Sequence, residues 1–349
     1  MSCSAKLQLA ALGCILALGV PVRIAAQSSR LFVANSRGDD VTVIDLGARK
    51  VVDDIRVGKH VHGLAIQADG RRLFATVETE HTLKFIDTGS DKVTATVQLT
   101  GKPNECAVTP DGKYVVVPIR DGNSVNIVDV AQQKVIKILP IHVPHNAFDA
   151  GSNRFVFVSS MDDHEIDVID LSKMEYSAHI PVGGRPRPYV VVPGEQKMYV
   201  AVSYLHGFEV VDIPSRRVVQ RVEIPARNPH ATLGPFETPD TFTHGLAVSP
   251  DGREVWVTSE MDNAMYVYDL KAKKVTAHVP TGIGPNWVTF SPDGKYVCVS
   301  NAGSDDVSII DARTRREVAR IKTGSQPKRL LAAQVPARAV DPLKKDREP

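Results

Sequence analysis

The stretch Pro285-Asn286-Trp287-Val288-Thr289-Phe290-Ser291-Pro292-Asp293-Gly294-Lys295-Tyr296-Val297-Cys298-Val299-Ser300-Asn301 holds two short apolar runs joined by Asp-Gly. Glycine accepts positive φ at low cost, so Asp293-Gly294 reads as a tight hairpin turn. Two more runs follow, Val307-Ser308-Ile309-Ile310-Asp311 and Glu317-Val318-Ala319-Arg320-Ile321. Turn residues bound each of them, so the unit is four short antiparallel strands.

That unit recurs along the chain. An apolar strand closing on aspartate occurs at Asp45, Asp87, Asp129, Asp170, Asp212, Asp269 and Asp311, with steps of 42, 42, 41, 42, 57 and 42 residues. A period near 42 built from four short strands predicts a β-propeller with one blade per repeat. The single long step predicts an insertion between the fifth and sixth blades, over Arg227 to Thr243. Each repeated aspartate is expected to cap the turn after its strand.

The ends predict how the ring closes. The first repeat begins at Arg30-Leu31-Phe32-Val33-Ala34-Asn35, on the second strand of the unit. Its missing first strand reappears as Gln326-Pro327-Lys328-Arg329-Leu330-Leu331. The C-terminal strand is therefore expected to complete the first blade and remove an open sheet edge. This gives an all-β, seven-bladed propeller over 27–335, followed by a polar tail over 336–349 that is expected to be disordered.

Residues 1–26 read as a signal peptide. Lys6 precedes an apolar run, Leu7 to Val20, and small residues follow at Ala25-Ala26. The run is shorter than the roughly 20 residues that a spanning helix needs, so no stable membrane span is expected after cleavage. Cleavage removes Lys6 and Arg23 and leaves 42 − 2 = 40 basic against 40 acidic residues. A neutral chain argues against nucleic-acid binding, which uses a basic stripe. Cys106 and Cys298 remain, on blades that are not neighbours, and are expected to be buried free thiols. Periplasmic or secreted placement follows.

One position per repeat falls just before the innermost strand: His62, Asn104, His145, Arg187, His244, Asn286 and Lys328. Equivalent positions in a closed ring must face one central channel, and none of these seven is apolar. The loop after the second strand opens on the same face and adds Glu78, Arg120, Met161, Tyr204 and Glu260, while the insertion adds His230, Phe236, Glu237 and Asp240. Three readings stay open. His62, His145 and His244 would hold a divalent metal, with Glu78 or Glu260 as catalytic base. Alternatively Arg187, Lys328, Arg120 and the histidines, with Asn104, Asn286 and Tyr204, would bind a small anionic ligand. In the third reading these groups only solvate the channel and join the blades. His230 is a further candidate from the insertion, and Trp256 and Trp287 are expected to pack between sheets.

The motifs Leu31-Phe32-Val33-Ala34-Asn35, Met198-Tyr199-Val200-Ala201, Val255-Trp256-Val257-Thr258 and Ser249-Pro250-Asp251-Gly252 resemble the YVTN-type, YncE-like propeller repeats of secreted bacterial proteins. The resemblance spans about 30–335. It implies binding proteins, periplasmic protein partners of quinone-dependent oxidation, lactonases or metal-dependent lyases, and it does not choose among them. The expectation drawn from it is an exported binding or accessory protein; the alternative is a metal-dependent lyase or lactone hydrolase.

Overall fold

The computed structural model describes residues 27–149, 151–192, 194, 196–227 and 241–337. The signal segment 1–26, most of the insertion with His230, Phe236, Glu237 and Asp240, and the tail beyond Ala337 lie outside the described residues. Among the described residues no helix is long and apolar enough to cross a membrane.

Seven four-stranded antiparallel sheets form the blades. In the seventh, Pro285–Phe290 is innermost, followed outward by Tyr296–Asn301, Asp306–Asp311 and Arg316–Lys322. The first blade is completed as the sequence predicts: Pro327–Pro336 pairs antiparallel with Gln27–Asn35, from Gln27 opposite Pro336 to Asn35 opposite Pro327. The strand runs one residue into the predicted tail, and Val335 is fully buried in the core between the first two blades. Middle strands carry the core, because both of their faces meet a neighbouring blade; Phe32, Phe74, Trp256 and Cys298 are all 0% exposed.

All seven repeated aspartates cap their turns. Asp45 accepts from the amide of Ala48, Asp87 from Ser90, Asp129 from Gln132, Asp170 from Ser172, Asp212 from Ser215, Asp269 from Ala272 and Asp311 from Thr314. The Asp-Gly glycines Gly70, Gly112, Gly252 and Gly294 adopt φ of 70°, 70°, 69° and 70°. Cys106 and Cys298 are buried and unpaired.

Two irregularities shape the channel. In six blades the pairing of the innermost strand shifts just beyond the ring position, for example between Val61 and Leu64 and between Thr243 and Leu246. A hydroxyl on the next strand takes the amide this frees: Thr76 accepts from Gly63 at 2.7 Å and Thr258 from Gly245 at 2.8 Å. Glycine is required at both places, since a Cβ would lie 2.7 Å from the Asn104 carbonyl oxygen or 2.8 Å from that of Asn286. Such a bulge re-aims the side chains beside it. The third blade differs, its innermost strand reduced to Ala107–Val108 plus a bridge between Pro103 and Ile119. Pro103 and Pro118 have no N–H to give a ladder there.

Candidate functional site

The seven ring residues occupy equivalent places, each the second residue of an innermost strand except Asn104, which precedes its strand. They are more enclosed than an open mouth would be: Asn104 and Asn286 are 1% exposed, while His145, Arg187 and His244 are buried as well. Only His62 and Lys328 are half-buried.

Each ring histidine has its Nδ1 committed. His62 Nδ1 lies 2.7 Å from Glu78, whose other oxygen meets Lys102 Nζ at 3.0 Å. His244 Nδ1 donates to the Asn286 carbonyl at 3.0 Å, and His145 Nδ1 meets the side chain of Asn146. The His145 and His244 rings stand 6.3 Å apart, centre to centre, although they come from alternate blades. Arg187 donates to Ser203 at 3.0 Å, and Asn286 donates to Glu260 at 3.1 Å.

Two cations, Arg187 and Lys328, belong to the ring, and the carboxylates of Glu78 and Glu260 meet it. Burial pushes the His62 pKa down, the charges of Arg329 and Lys328 add to it, and it falls to about 4 against the pull of Glu78. Burial likewise drives His145 and His244 well below the usual range, helped for both by Arg187 and Arg329. All three are neutral imidazoles at pH 7. Burial would raise Glu78, but its bonds to His62 and Lys102 hold it down at about 2.

The other predicted residues divide. Glu78 and Glu260 reach the ring, as their contacts show. Arg120 and Tyr204 are exposed, Tyr204 by 70%. Tyr204 instead faces Phe242, with ring centres 6.3 Å apart. The three ring histidines do not form a metal-ligating group. Among the described residues the one group of three such side chains with ligand atoms within 4.8 Å is Glu165, Asp167 and His179, at the outer strands of the fourth blade. Glu78, Asn146 and the Asn286 carbonyl each hold one ring histidine toward its own blade or a neighbouring one.

Sequence reasoning missed the next register. One residue beyond the ring stand Gly63, Glu105, Asn146, Pro188, Gly245, Trp287 and Arg329. Here Arg329 Nε donates to Glu105 in a buried ion pair, with side chains 2% and 5% exposed. Glu105 also accepts from the Leu64 amide at 3.0 Å and from Cys106 at 3.3 Å. Arg329 lies over Trp287, which is half-buried: it packs against the core between the first and seventh blades, as predicted, and also lines the channel. Trp256 is the core residue predicted. Two residues further on the series is Ala65, Ala107, Phe148, Val190, Ala247, Thr289 and Leu331, small or apolar throughout. The channel thus passes from a polar ring, through an ion-paired plug, to an apolar bore. The signal was readable: one acid and one base in otherwise neutral, period-matched positions.

Comparison with known proteins agrees with this architecture. The sequence profile of the cytochrome D1 heme domain matches residues 219–343. Hydrazine synthase of Kuenenia stuttgartiensis superposes with a TM-score of 0.70 at 18% identity, covering 86% of this chain and 99% of that one. Dihydro-heme d1 dehydrogenase NirN, in complex with DHE, gives 0.64 at 15% identity, over 86% and 74%. A Bacteroides uniformis protein provisionally described as a 6-phosphogluconolactonase gives 0.71 at 13%, over 88% and 99%. At such identities the likeness is one of fold. No curated protein matches. The YNCE-like beta-propeller profile matches residues 1–139 and 64–240, most of the chain, and with the seven closed blades it places this protein in the YNCE-like β-propeller family.

Proposed function

We propose that this is an exported binding propeller that holds a small anionic ligand, a carboxylate or phosphate, at the polar end of its channel. It would serve a periplasmic partner such as an oxidation system. The observation that carries the reading is Asn104: buried, with neither Oδ1 nor Nδ2 hydrogen-bonded, in a ring that also holds Lys328 and Arg187. A buried amide without partners is costly unless a polar ligand or water meets it. The cationic surroundings favour an anion. Calorimetric titration with citrate and inorganic phosphate tests this. Binding weakened about tenfold or more in Lys328→Gln supports it; unchanged binding in the variant, or no binding to the native chain, defeats it. Fractionation of cells expressing the full chain tests export, with recovery from the cytoplasm alone as the adverse result.

A second reading is favoured by the match to the cytochrome D1 heme domain, which spans His244, Asn286 and Lys328. The ligand would then be a haem-type tetrapyrrole. The donor set fits, because a neutral imidazole whose Nδ1–H is held by an acceptor offers Nε2 to iron. Such a group would supply redox-active iron when bound. Arg187 and Lys328 would hold its carboxylates, and His145 or His244 would offer Nε2 to its iron. Hemin titration that gives a shifted Soret band, lost in His145→Ala and His244→Ala, separates this reading from the first. The lyase or lactone hydrolase alternative is weaker, since Glu78 is already ionised and bonded, and a carboxylate near 2 is a feeble general base at neutral pH.

A further inference from the structure

On the far side of the Glu105–Arg329 pair, toward the Asp-Gly hairpins, the channel holds a cavity of about 390 Å³. Its size falls within the range of small-molecule pockets. Ala65, Ala107 and Ala247 keep the bore open, while Phe148, Phe290 and Leu331 give it apolar walls. Those last three are half-buried, so the cavity has a mouth.

Arg329 lines this cavity and is 2% exposed. Its Nε is taken by Glu105, but Nη1 and Nη2 have no hydrogen-bond partner. A guanidinium carries five N–H donors, and four of them are therefore unmet. Glu105 has its own supply in the amides of Leu64 and Cys106. A buried donor pair facing no acceptor at the end of an apolar bore calls for an oxygen pair carried on an apolar body.

We propose that this cavity binds an amphipathic monocarboxylate, with its carboxylate on Nη1 and Nη2 of Arg329 and its apolar body against Phe148, Phe290 and Leu331. A single charge is preferred, because Glu105 already occupies one side of Arg329 and Asp149 adds a second carboxyl to the wall. The site lies across the plug from the histidine ring and does not depend on what that ring binds.

Titration of the full chain with decanoate and with 1-decanol tests the proposal, read by heat and by the fluorescence of Trp287. Decanoate should bind at least about tenfold more tightly than the alcohol, which has the same tail without the anion. Thr289→Phe, which fills the bore without touching a charge, should remove decanoate binding, and Leu331→Trp is a second plug should the first fail to fold. Equal binding of the alcohol, no binding of decanoate, or decanoate binding that survives in a folded plugged variant would each overturn the assignment.

Discussion

The guanidinium carbon of Arg329 sits 4.0 Å from the centre of the Trp287 indole ring, joining the innermost strands of the first and seventh blades. With Glu105 from the third blade, the cluster ties three sheets together across the channel. Burial works against both charges, raising Glu105 and lowering Arg329. Arginine nonetheless stays protonated in proteins, and its charge, with the amides of Leu64 and Cys106, favours the charged form of Glu105 against that burial.

Removing one partner should cost more than removing both. Glu105→Ala leaves Arg329 buried and unpaired and is expected to destabilise by about 3–5 kcal/mol. Glu105→Gln combined with Arg329→Met should cost clearly less than the sum of the single changes, because no buried charge is left. Urea unfolding of Glu105→Ala, of the two single changes and of the double variant checks this; additive losses would mean that the pair is not coupled.

Stability should fall early in acid. The folded state resists protonation of His62, His145 and His244, whereas the unfolded chain takes up those protons near pH 6.5. Their stabilisation is therefore complete above about pH 6.5 and is lost as pH drops below it. For His62, lowered to about 4, the loss by pH 4 is about 3 kcal/mol. His142, raised by Asp163, acts in the opposite sense. Denaturation midpoints measured between pH 7 and 5 should decline, and His62→Gln should flatten the decline. A flat profile in the native chain would contradict the buried neutral ring.

The turn caps should matter individually and modestly. Asp129 accepts from both the amide and the side chain of Gln132, at 2.7 and 3.0 Å. Asp129→Ala is expected to lower stability by about 1 kcal/mol, the usual worth of such a bond, without altering ligand binding. A loss of binding would show that the outer turns communicate with the channel.

Deletion of Pro327–Pro336 should abolish cooperative unfolding rather than lower its midpoint. The first blade would keep three strands and expose the inner edge of Gln27–Asn35. Calorimetry would show a broad transition in place of one peak; a sharp transition would mean that the ring tolerates an open blade.

The fold was legible because it is periodic. Seven capped aspartates and four Asp-Gly turns fix where strands begin and end, and the missing first strand at Arg30 points to its replacement near Lys328. The channel was legible only in outline. Spacing shows that His62, His145 and His244 face the axis, but not that Glu78 draws the first aside while His145 and His244 meet. Such choices depend on the bulge at Gly63 and Gly245 and on hydroxyls such as Thr76, which come from other strands. Trp287 looked like a core residue because its strand is apolar. It does pack against the core between the first and seventh blades, and its register, shared with Glu105 and Arg329, brings it to the channel as well.

The closing strand also sets an order of events. Lys328 and Arg329 reach the axis only when Pro327–Pro336 docks against the first strand of the chain, more than 290 residues upstream. Contacts this distant in sequence form late in folding. Both ends of the channel are therefore assembled by a strand that docks late, and an occupant gripping either cation would act as a latch on the closed ring.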